Sequence, residues 1–162
     1  MVLVTTLYVL PLAAETGGPQ ANLKELVKRL ASDYPNIVHR SLAELVEQSE
    51  NVVLVDVRDA EEYEVSHIPG ALHIQDLSIL QTFIEGQSNE VVLYCSVGYR
   101  SAELVRQLQA QGVDGVSNFA GSIFDWANHG HPLTNGSQPA DTVHPYNWFW
   151  GWRYLEKDLR AD

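Results

Sequence analysis

The stretch 90–111, EVVLYCSVGYRSAELVRQLQAQ, contains a predicted strand, a turn and a predicted helix in direct succession. Residues 91–94 form an apolar run with the length and composition of a strand buried on both faces. Gly98 marks a tight turn. From Ser101 apolar residues recur at helical spacing as far as Gly112, a residue type that commonly ends helices. A buried strand that passes directly into a helix is typical of a parallel α/β sheet.

The sequence on either side of this stretch continues the alternation of strands and helices. The predicted strands are 37–39, 52–56, 71–74, 91–94 and 116–119. The predicted helices are 22–32, 41–48, 59–65, 77–84, 101–111 and 123–129. Ser41 and Glu44 form the capping-box pattern that begins the second helix. This order predicts an α/β fold with a central, mostly parallel five-stranded sheet and helices on both faces.

The composition limits the classes of partner. The chain has 162 residues, of which 45% are hydrophobic and 19% charged, as in a single domain that buries a core. Its net charge of −11 argues against nucleic acid and anionic membranes as partners, because phosphate binding requires a basic surface. Cys95 is the only cysteine, so an internal disulfide is excluded. We expect no cofactor and no metal, since His129 and His131 alone are too few ligands.

The two ends of the chain differ from its middle. Residues 1–20 predict an apolar N-terminal arm or a signal-like segment; no Lys or Arg precedes the apolar run and no clean cleavage site follows it. Residues 21–135 are the predicted domain. Residues 136–162 predict an aromatic C-terminal tail with three of the four tryptophans, which we expect to fold back onto the domain. The expected location is cytoplasmic, or exported to the periplasm if the N-terminal segment is a signal peptide.

The turn that contains Cys95 is predicted to lie where a central strand ends and a helix begins. Open α/β sheets bind their ligands at this edge. Successive backbone amides and the helix N-terminus attract an anion there. These groups and Arg100 should lower the pKa of a thiol at this position. The alternative is a buried cysteine that packs as a small hydrophobe. The turn position and the nearby arginine favour a reactive thiolate.

A thiolate in such a turn permits two reactions. It could attack a phosphoester and form a cysteinyl phosphate, or attack an outer sulfur atom and hold it as a persulfide. Four residues separate Cys95 from Arg100, whereas cysteine phosphatases have five between these residue types. The shorter loop favours the thin, linear persulfide. Because the chain has no second thiol, the sulfur acceptor must be another molecule.

Two motifs resemble those of the rhodanese-like sulfurtransferases in their single-domain form. Residues 56–71, DVRDAEEYEVSHIPGA, are similar to that family's D-x-R-x-x-x-E-[YF]-x-x-G-H-I-x-G-A. Residues 95–101, CSVGYRS, are similar to its C-x-x-G-x-R-S active loop. A weaker third likeness, GSIFDWANHGHPL, is at 121–133. Ser66 and Ser122 stand where the family usually has glycine.

The resemblance covers residues 37–133, so it identifies the predicted domain 21–135 as rhodanese-like. It implies that Cys95 is the nucleophile and sulfur carrier, and that Arg100 closes the loop and attracts an anionic donor such as thiosulfate. The implied substrate-binding loop residues, whose backbone amides surround the sulfur, are Ser96, Val97, Gly98, Tyr99 and Ser101. The implied supporting residues, which order neighbouring loops rather than react, are Asp56, Arg58 and His67.

The implied function is transfer of sulfane sulfur from thiosulfate or a similar donor to a thiophilic acceptor through a persulfide on Cys95. The expected partners are a small-molecule donor and, as acceptor, cyanide, a small thiol or a protein thiol. One alternative is a cysteine phosphatase or arsenate reductase on the same fold, which the loop length and the lack of a second thiol oppose. Another is a non-catalytic rhodanese-like interaction module, which the presence of Cys95, Gly98 and Arg100 opposes.

Overall fold

The computed structural model describes residues 17–136 and 138–162. Most of the predicted N-terminal arm, residues 1–16, therefore lies outside the described residues. None of the helices formed by the described residues combines the length and the apolar composition needed to cross a bilayer.

The described chain alternates between strands and helices. The central sheet consists of β1 (His39–Arg40), β2 (Val52–Asp56), β3 (Leu72–His73), β4 (Glu90–Tyr94) and β5 (Val116–Phe119). The accompanying helices are α1 (Pro19–Asp33), α2 (Leu42–Glu47), α3 (Ala60–Val65), α4 (Leu77–Glu85), α5 (Tyr99–Ala110) and α6 (Ser122–Asn128). The C-terminal part contains the antiparallel strands β6 (Leu133–Asn135) and β7 (Gln138–Ala140), then α7 (Trp148–Tyr154) and a 3-10 turn (Lys157–Leu159).

The five central strands have the order β1-β5-β4-β2-β3, and every neighbouring pair is parallel. The predicted α/β fold with a five-stranded sheet is thereby confirmed. β4 is the middle strand, so its carboxyl end lies at the centre of the sheet edge where Cys95 follows.

Side chains of β4 alternate between two core clusters. Val92 and Tyr94 pack in the cluster that also holds apolar residues of α2 and α6. Val91 and Leu93 pack in the cluster that holds those of α4 and α5. All four are fully buried, and burial of each such side chain contributes about 1.5–3 kcal/mol. Helices cover both faces of the sheet, which explains why the strand is apolar without alternation.

Helix α5 begins two residues earlier than the sequence predicts, at Tyr99 rather than Ser101. Gly98 occupies the N-cap with a φ of 109°, a conformation that other residues rarely adopt. A Cβ at Gly98 would lie 2.9 Å from Cδ2 of Leu30 and 3.3 Å from the carbonyl oxygen of Phe119. The chain therefore turns sharply at this glycine, and Arg100 lies in the first turn of the helix.

The C-terminal part packs partly onto the domain. Val143 and Leu155 are completely buried in the core cluster of α2 and α6, and α7 contacts α1. The side-chain amide of Asn128 donates to the carbonyl of Tyr154 at 2.8 Å. Trp148, however, is 77% exposed and stacks on the half-exposed Trp152, with ring centroids 6.1 Å apart.

Candidate active site

The Cys95 loop, residues 95–101, connects β4 to the first turn of α5. The thiol is almost completely buried, with 1% of Cys95 exposed. Its Sγ accepts the backbone N–H of Gly98 at 3.2 Å and the hydroxyl of Ser101 at 3.6 Å. Donors at the beginning of a helix therefore converge on the sulfur, as expected for a thiolate site.

The pKa of the Cys95 thiol reflects opposing effects. Burial on its own raises this pKa, because a low-dielectric environment disfavours the thiolate. The positive charge of Arg100 and hydrogen bonds from Ser101 and Gly98 lower it. Their combined effect exceeds that of burial, so the pKa lies below its ordinary value. The arrangement favours the nucleophilic form of the sulfur.

Arg100 is held by a buried carboxylate. Its Nη1 donates to Oε2 of Glu62 at 2.7 Å and its Nη2 donates to Oε1 at 2.8 Å. The side chain of Glu62 is 3% exposed and that of Arg100 is 33% exposed. Ser96 completes the network, because its hydroxyl donates to Oε1 of Glu62 at 2.9 Å and accepts from Nη2 of Arg100 at 3.0 Å. Such a two-point ion pair fixes the plane of the guanidinium.

Glu62 is a site residue to which the sequence analysis gave no role. Burial raises its pKa, but hydrogen bonding and the charge of Arg100 lower it further, so the pKa lies below the ordinary carboxyl value. A signal was present in the motif 56–71, where Glu62 follows the N-cap Asp59 by three residues, and the N–H of Asp59 does donate to its Oε2 at 3.1 Å. That pattern predicts a helix cap but does not predict that Glu62 pairs with Arg100.

Helix α6 anchors the loop from the opposite side. The N–H of Cys95 donates to Oγ of Ser122 at 3.1 Å, and the hydroxyl of Ser122 donates to the carbonyl of Phe119 at 2.9 Å. The carbonyls of Cys95 and Ser96 accept N–H groups of Ile123 and Phe124 at 3.2 and 3.1 Å. Ser122 has a φ of 54°, so it keeps the backbone conformation of a glycine and adds a hydroxyl that binds the loop.

The other two predicted loop residues have side chains in different surroundings. Val97 is buried in the core cluster of α2 and α6. The hydroxyl of Tyr99 donates to Oδ2 of Asp33 at 2.8 Å, and burial together with this carboxylate raises the pKa of Tyr99 to about 12. The side chains of Val97 and Tyr99 thus pack around the loop, whereas Ser96 and Ser101 contact Arg100 and Cys95 directly.

The predicted supporting residues lie at the end of β2 and in the segment that follows it. Asp56 and Arg58 form a completely buried ion pair, with Nε and Nη2 of Arg58 2.9 and 2.6 Å from the two carboxylate oxygens. Nη2 also donates to the carbonyl of Ser66 at 2.7 Å. The ring of His67 stacks on Tyr63 with centroids 3.8 Å apart. These contacts tie β2 to the segment that follows α3.

Comparison with known sequences gives one family. The sequence model of the rhodanese-like domain matches residues 38–129. The thiosulfate sulfurtransferase GlpE of Coxiella burnetii is 34% identical over 107 residues, which are 65% of this chain and 97% of that protein. The thiosulfate:glutathione sulfurtransferase of Saccharomyces cerevisiae is 33% identical over 94 residues, 49% of this chain and 68% of that protein. The putative sulfur carrier protein YrkF of Bacillus subtilis is 33% identical over 97 residues, 59% of this chain, and the match spans only 52% of that protein.

Solved structures give the same result for the fold. A rhodanese-related protein from Thermoplasma volcanium superposes with a TM-score of 0.53 at 25% identity, covering 60% of this chain and 97% of that one. Protein hp1203 of Helicobacter pylori gives 0.52 at 26% identity, covering 64% and 90%. Helix α7 lies beyond the residues that match the family.

Proposed function

Because the chain belongs to the rhodanese-like domain family, in the form found in single-domain sulfurtransferases, we propose that it carries sulfane sulfur as a persulfide on Cys95. Identity to named sulfurtransferases supports a rhodanese-type enzyme. The observation that carries the finer proposal is the buried thiol itself, which accepts hydrogen bonds from Gly98 and Ser101 and has a lowered pKa beside Arg100. We propose thiosulfate or a similar anion as the donor.

The proposed reaction has two steps. The Cys95 thiolate attacks the outer sulfur of thiosulfate, the donor's S–S bond breaks, and sulfite leaves with the bonding electron pair. The terminal sulfur of the persulfide then carries the negative charge, which the N–H groups of the loop can stabilise. In the second step a cyanide or thiolate acceptor attacks this terminal sulfur, and Cys95 leaves as the thiolate. Because the chain has no second cysteine, the acceptor comes from outside it.

The pairing of Arg100 with Glu62 occupies part of the hydrogen-bonding capacity that phosphatase chemistry would need. Cysteine phosphatases need an arginine that clamps two oxygens of a tetrahedral phosphate. Here Nη1 and Nη2 of Arg100 already donate to the two oxygens of Glu62. The positive charge of the guanidinium lowers the pKa of Cys95 and can attract an anion to the loop. This agrees with a short loop that holds a single sulfur atom.

The test is a sulfur-transfer assay with thiosulfate and cyanide. We expect the wild-type protein to form thiocyanate and Cys95→Ser to form none. With thiosulfate alone, the intact mass should rise by about 32 Da, one sulfur atom, at Cys95 only. p-Nitrophenyl phosphate should remain unhydrolysed. Hydrolysis of the aryl phosphate without sulfur transfer would replace this proposal with the phosphatase.

A further inference from the structure

Arg100 has an aromatic neighbour from outside the matched domain. The ring of Tyr146 lies over the guanidinium, with Cζ of Arg100 4.6 Å from the ring centroid, well within cation–π range. Tyr146 belongs to the C-terminal part of the chain, beyond the matched residues 38–129. A segment that the family pattern does not include therefore touches the arginine of the candidate active site.

The backbone at Tyr146 is strained. Its φ is 66°, a conformation that non-glycine residues rarely adopt. The carbonyl of Pro145 accepts the N–H of Asn147 at 2.8 Å, so Tyr146 is the central residue of a γ-turn of the uncommon, positive-φ kind. Strain of this type costs about 1–3 kcal/mol and persists only where the surroundings impose it. Such residues cluster at functional sites.

The surroundings of this turn impose its conformation. His144 accepts the N–H of Tyr146 on Nδ1 at 3.1 Å, and Asn147 caps α7 by accepting the N–H of Trp150 at 3.1 Å. A Cβ at Gly151 would overlap Pro145, so the helix contacts the turn closely only because this residue is glycine. These contacts hold the backbone from which the Tyr146 ring projects.

The buried Val143 anchors the segment that leads into this turn. Its N–H donates to the carbonyl of Leu159 at 2.7 Å, and its carbonyl accepts the N–H of Ala161 at 3.0 Å. The tail is thus fixed to itself and to the core on both sides of the strained residue.

The guanidinium of Arg100 is bounded on several sides. Glu62 and Ser96 bind its nitrogens within its plane, and Tyr146 covers one of its faces. A third of the Arg100 side chain stays exposed, in a groove that Tyr146 also lines. Covering one face removes water from the cation there, which strengthens its attraction for an anion approaching at the remaining exposed part.

We propose that Tyr146 is a positioning residue of the active site, contributed by the C-terminal tail, which holds Arg100 where it attracts an anionic sulfur donor to Cys95. The nature of the donor rests on the sulfur-transfer function proposed above. The effect of Tyr146 on the charge beside Cys95 can be measured without any turnover.

Three variants distinguish the effect of the Tyr146 ring from that of the rest of the tail. Tyr146→Asn removes the ring and keeps a residue type that tolerates positive φ, so the turn should survive. Tyr146→Phe removes only the hydroxyl and keeps the face that contacts Arg100. Trp148→Leu removes an exposed aromatic side chain from the same tail and is the matched control. Circular dichroism and thermal melting establish that each variant is folded. If Tyr146→Asn loses its thermal transition, Tyr146→Gly replaces it, because glycine adopts this φ without strain.

The first measurement compares alkylation of Cys95 by iodoacetate, an anion, and by iodoacetamide, which is neutral. The ratio of the two rate constants reports the positive charge at the loop. We expect Tyr146→Asn to lower this ratio about 2- to 5-fold, the range that corresponds to an exposed cation–π contact. Tyr146→Phe and Trp148→Leu should keep the wild-type ratio. An unchanged ratio in Tyr146→Asn, or an equal fall in Tyr146→Phe or Trp148→Leu, overturns the proposal.

The second measurement uses thiosulfate. We expect Tyr146→Asn to raise the KM for thiosulfate with little change in kcat, since the ring acts on donor attraction rather than on the attacking sulfur. A fall in kcat at unchanged KM contradicts this role. If the wild-type protein transfers no sulfur at all, the proposed function fails, while the alkylation ratios still decide whether Tyr146 positions Arg100.

Discussion

Glu62 shows how one buried charge organises the site. A carboxylate with 3% exposure is stable only if a cation and hydrogen bonds compensate for its lost hydration, and Arg100 and Ser96 supply both. Nothing in the local sequence predicts this pair, because the two residues are 38 positions apart and meet only in the folded chain, where Glu62 of α3 reaches Arg100 in the first turn of α5. The motif 56–71 contains Glu62, but the motif alone does not predict that Arg100 is its partner.

Glu62→Gln should destabilise the protein and change its response to acid. The amide preserves the shape of the carboxylate but removes the nearer counter-charge of Arg100, so that only the exposed Asp59, with Oδ2 3.6 Å from Nη1, remains. Because Arg100 is a third exposed, we expect a loss of about 1–3 kcal/mol, less than for a fully buried pair. Because the pKa of Glu62 is lowered in the folded protein, its charge stabilises the fold fully above the ordinary carboxyl pKa. This stabilisation is lost as the pH falls through the pKa of Glu62 in the folded state. Urea unfolding from pH 7 to pH 3 should therefore show a decline that the variant partly lacks.

Glu61→Gln is the matched control for this change, since Glu61 lies on the same helix and is exposed. Equal stability of the two variants, with equal acid profiles, would show that the pairing of Glu62 with Arg100 contributes nothing to the fold.

The thiol of Cys95 should titrate below the ordinary cysteine value of about 8.5. The charge of Arg100 and the hydrogen bond from Ser101 lower its pKa, so removing either group should raise the midpoint. We expect the midpoint to rise in both Ser101→Ala and Arg100→Ala, and to rise further in Arg100→Ala, because the charge of Arg100 is the larger of the two effects. The rate of iodoacetamide alkylation against pH measures each midpoint. A wild-type midpoint at or above 8.5 would mean that burial prevails over the stabilising groups.

At the scale of elements, the sequence predicts the strands and helices whose residues form a local pattern. The runs 52–56 and 91–94 are visibly strands because they are buried on both faces and continuously apolar. The helices follow from the spacing of apolar residues and from caps such as Ser41. The start of α5 at Tyr99 was missed, because it depends on the φ of Gly98, which the sequence does not reveal. The strands β6 and β7 were not predicted, since they are short. The helix α7 was not predicted either, although Trp148 and Trp152, like Trp150 and Tyr154, are spaced four residues apart and do contact each other.

Gly98→Ala should disrupt the junction between β4 and α5. A methyl group there meets Leu30 and the carbonyl oxygen of Phe119, and the φ of 109° is unfavourable for alanine. We expect a loss of at least about 1 kcal/mol, together with loss of sulfur transfer, because the N–H of Gly98 binds Sγ of Cys95. Thermal unfolding and the thiocyanate assay measure the two effects.

Gly86→Ala, at the C-terminal end of α4, provides the comparison. Gly86 has an ordinary φ of −86°, and a Cβ there would have nothing nearer than 3.5 Å. It should leave stability and sulfur transfer almost unchanged. If Gly98→Ala behaved in the same way, the loop would be able to relax around a side chain, and the close fit seen in the structure would not matter for function.

At the scale of the whole molecule, the sequence predicts the rhodanese-like domain. It does not predict that residues of the C-terminal part contact the candidate active site. Paired motifs at the expected separation indicated the rhodanese-like family, and the matched residues 38–129 confirm it. The contact between Tyr146 and Arg100 could not be predicted from the sequence, because it depends on a strained turn and on the packing of α7 against α1. The aromatic composition of the tail suggested burial, yet Trp148 is exposed and Tyr146 contacts a charge.

The net charge of the whole molecule is −11, and the proposed donor is itself an anion. The two therefore repel each other. The summed negative charge repels thiosulfate over long distances, whereas Arg100 attracts it near the loop. Salt screens the long-range repulsion first, because the screening length falls from about 30 Å at 0.01 M to about 10 Å at 0.1 M. We therefore expect kcat/KM for thiosulfate to rise over this range of sodium chloride. Alkylation of Cys95 by neutral iodoacetamide should stay nearly constant and serves as the control. A steady fall of kcat/KM with salt would show instead that attraction by Arg100 governs the approach of the donor at all distances.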